Sequence, residues 1–368
     1  MVVKKIAKKP KVEISTPKKL VGGTIADDNP PLRAPFSIKL VDLRKALGVA
    51  PATMSEIIKE FDPSATAKRG VARSIAPSVV RQILAARGYK FPRLAKRISV
   101  MISKGGNGKT TIARNLGQRL SSYGFRVLLV DTDMQGNLTS AFSLEELGFE
   151  IDTETYILHD VLAEDSPLDD AIVRITENLD IVPSTSLNSM LDVWIDRQCK
   201  NQTRAFVDKI EAVRSRYDYI IFDCAPALSR TNSAAIGSSD MVILPVIPDK
   251  FSQHGLEQTI KEIKLVQREV SHKIACKVVF NRFDAREATS VMYLGEVAST
   301  YKNIMFNTMI RTSADLKNSI AMSKDLFDDY RSTARFDIDE LTREITELAQ
   351  IVRPQRKPGR RSEQVQAR

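Results

Sequence analysis

The nine residues S-K-G-G-N-G-K-T-T at positions 103–111 decide the fold of this 368-residue chain. An apolar run at 98–102, typical of a β-strand, precedes them, and a segment at 112–120 with a helical pattern follows. A phosphate-binding loop requires this order of strand, loop and helix. Its glycines let successive backbone N–H groups point at phosphate oxygens, and the helix N-terminus favours negative charge. The stretch therefore predicts a nucleotide site on an α/β fold.

The side chains of this loop suit a nucleotide bound together with Mg²⁺. Lys109 is placed to reach the β- and γ-phosphates, and the Thr110 hydroxyl is placed to ligate Mg²⁺. The predicted cofactor-binding residues of the loop are Gly105, Gly106, Asn107, Gly108, Lys109, Thr110 and Thr111.

A second lysine, Lys104, stands five positions before Lys109, so that the loop reads K-G-G-x-G-K-T-T. In this it resembles the ParA/MinD group of deviant P-loop ATPases. The resemblance implies that ATP and Mg²⁺ are the cofactors and that ATP bridges a homodimer. It also implies that Lys104 crosses the dimer interface to phosphates held by the partner subunit. The alternative is a solvated lysine at a strand end.

Two further strand ends carry carboxylates. The run D-T-D-M-Q-G-N at 131–137 resembles the D-x-D-x-Q-G-N pattern of the family, with Met134 in place of the commoner proline. The resemblance implies that Asp133 positions or activates the attacking water and that Asp131 supports the Mg²⁺ shell. Asp223 ends the apolar strand 219–222 in a Walker B arrangement, in which the carboxylate holds Mg²⁺ through water. Turn chemistry after a strand is the alternative for the 131–137 run. The predicted catalytic residues are Lys104, Lys109 and Asp133, and the predicted metal residues are Thr110, Asp131 and Asp223.

Asn281 follows the apolar strand 274–280. In the family an asparagine at the matching position reads the adenine edge, for which an amide supplies a donor and an acceptor. An ordinary turn asparagine is the alternative.

The charge is segregated along the chain. Residues 1–98 hold 21 Lys+Arg against 7 Asp+Glu, residues 353–368 hold 6 against 1, and residues 99–352 hold 28 against 37. Basic ends around an acidic body are typical of a polyanion-binding protein.

The three cysteines are widely spaced. This spacing predicts a protein of a reducing compartment that has neither a disulfide framework nor a zinc site. No apolar run is long enough for a membrane span and no secretory signal is evident, so we expect a cytoplasmic protein without membrane contact. The resemblance to the ParA branch implies that this protein is associated with the nucleoid.

The pattern divides the chain into four parts. Residues 1–35 read as a basic, flexible arm and linker, 36–92 as a small helix-turn-helix-like domain, 93–352 as the ATPase domain, and 353–368 as a basic tail. Within 93–352 short apolar runs alternate with helical segments, which predicts a doubly wound, mostly parallel sheet of the P-loop type.

The 36–92 segment resembles the N-terminal DNA-binding domain of larger plasmid-type ParA proteins. Helices at 38–47 and 52–61 are predicted on either side of a glycine turn, with a third at 78–87 and a basic, wing-like stretch between. The predicted DNA-contacting residues of this segment are Thr53, Ser55, Lys59, Lys68, Arg69 and Arg73. A helical cap without a DNA role is the alternative.

The resemblance further implies that the ATP-bound dimer binds DNA without regard to sequence. Arg286 and Arg311 match basic positions used for this in the family, and Lys317 is a further candidate. The implied function is segregation or positioning of a plasmid or chromosome origin, with slow hydrolysis stimulated by a ParB-like partner. A transcriptional repressor that reads operator DNA through 36–92, or a protein that positions another cargo, remains open. A MinD-like membrane protein is disfavoured because the basic C-terminus has no apolar helical face.

Overall fold

The computed structural model describes residues 30–62, 74–152, 155–328 and 332–348. Its strands are β1 (Ile38–Lys39), β2 (Ser74–Ile75), β3 (Lys96–Val100), β4 (Val127–Asp131), β5 (Val173–Thr176), β6 (Leu179–Val182), β7 (Tyr219–Asp223), β8 (Met241–Val246) and β9 (Ala275–Phe280). Its helices are α1 (Leu40–Leu47), α2 (Pro51–Phe61), α3 (Pro77–Ala86), α4 (Lys109–Ser122), α5 (Asn137–Ser140), α6 (Leu158–Ala163), α7 (Leu191–Gln198), α8 (Val207–Val213), α9 (Arg230–Gly237), α10 (Lys250–Glu269), α11 (Ala288–Tyr301), α12 (Ala314–Ala321) and α13 (Thr333–Thr346).

Seven strands form one sheet in the order β5-β6-β4-β7-β3-β8-β9. Every neighbouring pair is parallel except β5 and β6, which are antiparallel. The central strands are buried along their whole length because helices cover both faces of the sheet. The predicted doubly wound, mostly parallel fold is confirmed. The edge strand β5 was not predicted from the sequence, since its four residues leave little periodicity to detect.

The local boundaries differ from the sequence prediction in two instructive places. The first predicted helix begins at Leu40 rather than 38, because Ile38 and Lys39 pair with Ile75 and Ser74 in an antiparallel ribbon. The helix after the phosphate loop begins at Lys109 itself, so the loop passes into α4 without an intervening segment.

The N-terminal module has the expected two helices across a glycine turn. Gly48 ends α1 with φ 60°, a left-handed conformation that glycine adopts without strain. Met54, Ile57 and Ile58 of α2 are buried, as the pattern predicted. Ser55 and Lys59 are exposed, and Thr53 is half-buried. Lys68, Arg69 and Arg73 lie outside the described residues. The DNA-binding role of this module stays a prediction.

The module is packed into the α/β body, and its apolar residues join one continuous core with β3, β4 and β7. Arg81 of α3 donates to Asp218 at 2.6 Å and stacks on Phe91 at 3.9 Å. Leu32 and Arg33, which the sequence placed in a flexible linker, instead donate backbone hydrogen bonds to Arg174 and Ile175 of β5. The basic tail at 353–368 lies outside the described residues. Within the described ranges no helix is long and apolar enough to cross a membrane.

Candidate nucleotide and metal site

The phosphate loop lies between the carboxyl end of β3 and the start of α4. Gly106 and Gly108 have φ of 79° and 87°, values that residues with a side chain rarely adopt. The backbone N–H groups of residues 104–106 and 108–110 have no protein acceptor of good geometry in the part of the chain that the structure describes. Unpaired N–H groups at the start of a helix are the expected ligands of phosphate oxygens.

Two asparagines hold this loop from behind. Asn281 donates from Nδ2 to the carbonyl oxygen of Asn107 at 2.8 Å, and a Cβ at Gly108 would lie 2.5 Å from that same nitrogen. Asn107 is fully buried and donates to the carbonyl of Pro245 at 3.0 Å. Asn281 is 2% exposed, and its Oδ1 accepts from the N–H of Arg282. The structure thus gives Asn281 a supporting contact that sequence reasoning missed; its contact with adenine stays a prediction.

Asp131 and Asp223 face each other at the ends of the paired strands β4 and β7. Burial raises the pKa of Asp131 to about 7, and hydrogen bonds from Thr139 oppose the rise. Burial, followed by repulsion from Asp131, raises the pKa of Asp223 well above its ordinary value. Two carboxylates that resist ionisation together form a place where a cation would relieve the repulsion.

Lys109 and Thr110, the first two residues of α4, lie close to Asp223. Burial lowers the pKa of Lys109, whereas the charges of Asp223 and Asp133 oppose the fall. Neither oxygen of Asp223 has a hydrogen bond of good geometry among the described residues, although the Thr110 hydroxyl and the Lys109 ammonium are near enough to lower its pKa. An unpaired, buried carboxylate next to a hydroxyl is a suitable donor set for Mg²⁺.

This donor set is incomplete without phosphate. In the described ranges no three His, Cys, Asp or Glu side chains converge to hold a metal by themselves. Mg²⁺ commonly keeps several waters and takes one or two protein oxygens with the phosphates of its substrate. The residues present fit that pattern, with Thr110 and Asp223 as the direct candidates and Asp131 behind them.

Asp133 is held by a turn that the sequence did not reveal. Its Oδ1 accepts from the N–H of Gln135 at 3.0 Å, and its carbonyl accepts from the Ser184 hydroxyl at 2.6 Å. Asn188 donates to that hydroxyl at 2.7 Å. Ser184 and Asn188 follow β6, far from Asp133 in sequence, so only the fold brings them together.

Lys104 is bound within its own subunit in this structure. Its ammonium lies 2.7 Å from both oxygens of Asp249, the residue that caps α10, and 5.5 Å from the centre of the Phe251 ring. The Lys104 side chain is 30% exposed, and Phe251 is 75% exposed. The contact across a dimer interface stays a prediction.

The candidate DNA-binding residues of the body lie near one another. A bridge between Phe283 and Arg311 brings the loop of Arg286 beside Arg311. Arg286 is 89% exposed and paired with Asp284, whereas Arg311 is half-exposed and donates to Asp337 at 2.6 Å. Lys317 is exposed on α12. Their DNA contacts stay predictions, and each arginine would have to share its guanidinium between a carboxylate and a phosphate.

Comparison with known proteins places this site in a family context. A family model described as an AAA domain matches residues 95–276. The chain is 32% identical over 233 residues to the sporulation initiation inhibitor protein Soj of Bacillus subtilis, covering 63% of this chain and 90% of Soj. It is 31% identical to the virulence plasmid ParA family protein pGP5-D of Chlamydia trachomatis, covering 67% of this chain and 92% of that protein. A putative plasmid partition protein from Borrelia burgdorferi, solved with AMPPNP, superimposes with a TM-score of 0.57 at 25% identity, covering 70% of this chain and 98% of that one.

Proposed function

The chain belongs to the ParA family of P-loop ATPases, and from this premise we propose that it is a partition ATPase. It binds Mg²⁺–ATP, dimerises around the nucleotide and then binds DNA without sequence preference. The cargo is a plasmid or a chromosome origin, with another cellular cargo as the alternative. The observation that carries the proposal is the meeting of Lys109, Asp133 and Asp223 beside the unpaired backbone N–H groups of the phosphate loop.

The chemistry follows from the positions of these groups. Lys109 and the loop N–H groups hold the β- and γ-phosphates and stabilise negative charge as the bond to the γ-phosphorus breaks. Mg²⁺, held by Thr110 and Asp223, supplies neutralisation of the phosphate charge when it is bound. Asp133 is oriented through its turn toward the attacking water and accepts its proton as ADP and phosphate form. Among the described residues, Lys109 is the cation whose charge acts on Asp223, and we expect slow turnover until a partner intervenes.

Dimerisation requires Lys104 to leave Asp249. Because the contact is partly exposed, solvent screens it and the exchange for a triphosphate is favourable. A ParB-like partner with a basic segment is the proposed stimulator of hydrolysis, since the body is acidic between residues 99 and 352.

The test is retention on random-sequence DNA with ATP, with ADP and without nucleotide. The full-length chain should be retained only with ATP. Asp133→Ala should remain on DNA after ATP is diluted, whereas wild type should dissociate as it hydrolyses. Retention that ignores nucleotide, or an Asp133→Ala variant that dissociates like wild type, would refute the proposed cycle.

Arg286→Glu tests the DNA surface of the body, because the Arg286 side chain is 89% exposed. This substitution should weaken retention on DNA and make the affinity for DNA less dependent on salt concentration.

A second function is favoured by the exposed face of α2. Ser55 and Lys59 are exposed there, while Met54, Ile57 and Ile58 anchor the helix, which is the arrangement a recognition helix needs. We therefore propose that the module can also read operator DNA.

Point substitutions on the exposed face test this role. Deleting residues 1–92 is a poor test, because the module shares its apolar core with the body and its removal would expose that core. Lys59→Glu should abolish a footprint on the protein's own upstream DNA, and Lys90→Glu, on an exposed site outside the helix pair, should preserve it. A footprint that survives Lys59→Glu would remove this role.

A further inference from the structure

A groove of about 550 Å³ lies beside the turn that carries Asp133. Met134, Leu144 and Ile151 form its apolar part, and hydroxyls from the segments 139–143 and 184–186 line the rest. Glu145 and Glu146, both exposed, stand at its rim. Thr139 and Ser184 of its wall also hold Asp131 and Asp133, whereas Glu145, Glu146 and Ile151 have no part in the nucleotide site described above.

The chain around the groove is acidic in sequence. Residues 127–173 contain 12 Asp+Glu and no Lys or Arg, and Glu145 and Glu146 are the members of this set that line the groove. Hydroxyls, apolar surface and the two exposed carboxylates at the rim together suit an extended segment that alternates lysines with apolar side chains. The first 19 residues of this chain have that composition, with 7 lysines against a single glutamate and with Ile6, Val12 and Ile14 between the lysines.

The path of the backbone directs this segment toward the groove. Leu32 donates to Arg174 at 3.1 Å and Arg33 donates to Ile175 at 3.0 Å, so the chain advances in the same direction as β5. Val173, at the start of β5, pairs with Ile181 near the carboxyl end of β6. Residue 30 is therefore at the edge of the sheet where Ser184 begins the groove wall. Two strand spacings, about 10 Å, separate Leu32 from β6.

The length of chain is sufficient. Ten residues lie between Lys19 and Pro30, and the eleven steps from one to the other span up to about 36 Å when extended. That length is more than three times the two strand spacings between Leu32 and β6, so the lysines of the segment can reach the edge of the sheet near Ser184 while the bonds of Leu32 and Arg33 are kept.

We propose that this groove is the docking site of the chain's own lysine-rich segment, residues 4–19. The lysines pair with Glu145 and Glu146 at the rim, and the apolar residues between them contact Leu144 and Ile151. Docked there, the segment lies against residues 134–136, next to Asp133. It consequently excludes the basic segment of any partner protein from the same groove.

Carbodiimide cross-linking of the full-length chain, without nucleotide or DNA, tests the location. Lysines 4–19 should join Glu145 or Glu146 at low ionic strength, and the products should be lost at about 1 M salt, where the screening length falls to roughly 3 Å. Cross-links spread equally over distant exposed acids such as Glu257 and Glu269 of α10 would overturn the proposal. Cross-linking a mixture of isotope-labelled and unlabelled chain shows whether the docked segment belongs to the same chain or to a second copy. Products that join a labelled to an unlabelled chain would show that a second copy fills the groove, and this result would also overturn the proposal.

A second measurement does not depend on the cross-linking chemistry. Trypsin should cut after Lys11 slowly in wild type and faster in Glu145→Gln/Glu146→Gln, because the neutral rim releases the segment. The matched pair Glu257→Gln/Glu269→Gln removes the same charge at the opposite side of the sheet and should leave the rate unchanged. Equal rates for wild type and both variants would show that the segment does not occupy the groove. That result would leave the ATPase proposal intact, since neither ATP nor DNA is present.

Discussion

Replacing Gly108 by alanine tests whether the observed loop conformation is what binds the nucleotide. Gly108 has φ 87°, and a Cβ there would meet Asn281 Nδ2 at 2.5 Å. The left-handed backbone costs alanine roughly 1–2 kcal/mol. Displacing the Asn281 amide breaks its hydrogen bond to Asn107 and leaves a buried carbonyl unpaired, at a cost of about 1–3 kcal/mol.

The loop can escape this strain only by leaving the conformation that binds phosphate. The affinity for ATP should therefore fall by about 3 kcal/mol, or roughly 150-fold. Titration with a fluorescent ATP analogue in the presence of Mg²⁺ measures it, and circular dichroism confirms that each variant is folded.

The two neighbouring glycines supply graded controls. Gly106 has φ 79° but open space around its Cβ position, so Gly106→Ala should show the backbone cost alone, about 5- to 30-fold. A Cβ at Gly105 would lie 3.9 Å from Pro226, an ordinary contact, and Gly105→Ala has no left-handed φ to strain. Adding Asn281→Ala to Gly108→Ala should restore part of the affinity. The reasoning is refuted if Gly106→Ala and Gly108→Ala bind equally well, or if the second substitution restores nothing.

Three other outcomes follow from buried groups. Asp223→Asn should remove most of the gain in nucleotide affinity that Mg²⁺ gives over EDTA, since this carboxylate has no other strong partner; an unchanged gain would show that the metal is held elsewhere. Asp42→Ala should destabilise the protein by about 3–5 kcal/mol, because it removes the carboxylate 3.3 Å from the buried Arg335, whereas Arg119 keeps its ion pair with Asp339 at 2.6 Å. Thermal unfolding checks this, with the exposed Glu56→Ala expected to change nothing. Burial raises the pKa of Asp180 to about 6, so the native state binds an extra proton between about pH 4 and 6 and loses stability as the pH rises through that window. Asp180→Asn keeps an acceptor for the Tyr217 hydroxyl, which lies 2.7 Å from the Asp180 carboxylate. It should raise the unfolding temperature at pH 7.5 more than at pH 4.5. An equal effect at both pH values would contradict the burial of a charged Asp180 as the cause.

The sequence alone determined the parts of this protein that depend on local pattern. Continuous apolar runs predicted the parallel strands because strands buried on both faces admit few polar residues. The 103–111 stretch predicted a phosphate loop because glycine, lysine and threonine at this spacing serve a backbone conformation that few other residues allow. Asp131, Asp133 and Asp223 were identified because each follows such a strand, and parallel strands end at one edge of the sheet.

Only the tertiary structure decided which groups hold the site in place. Asn281 lies behind Gly108, Asp249 holds Lys104, and Ser184 holds the turn of Asp133, yet each pair is separated by tens of residues or more along the chain. The same is true of the N-terminal module, whose charge suggested a separate domain but whose Asp42 and Arg81 bond into the body. Such contacts have no period and no motif, because they depend on where the folded chain places two side chains and on the cost of leaving either one buried without a partner.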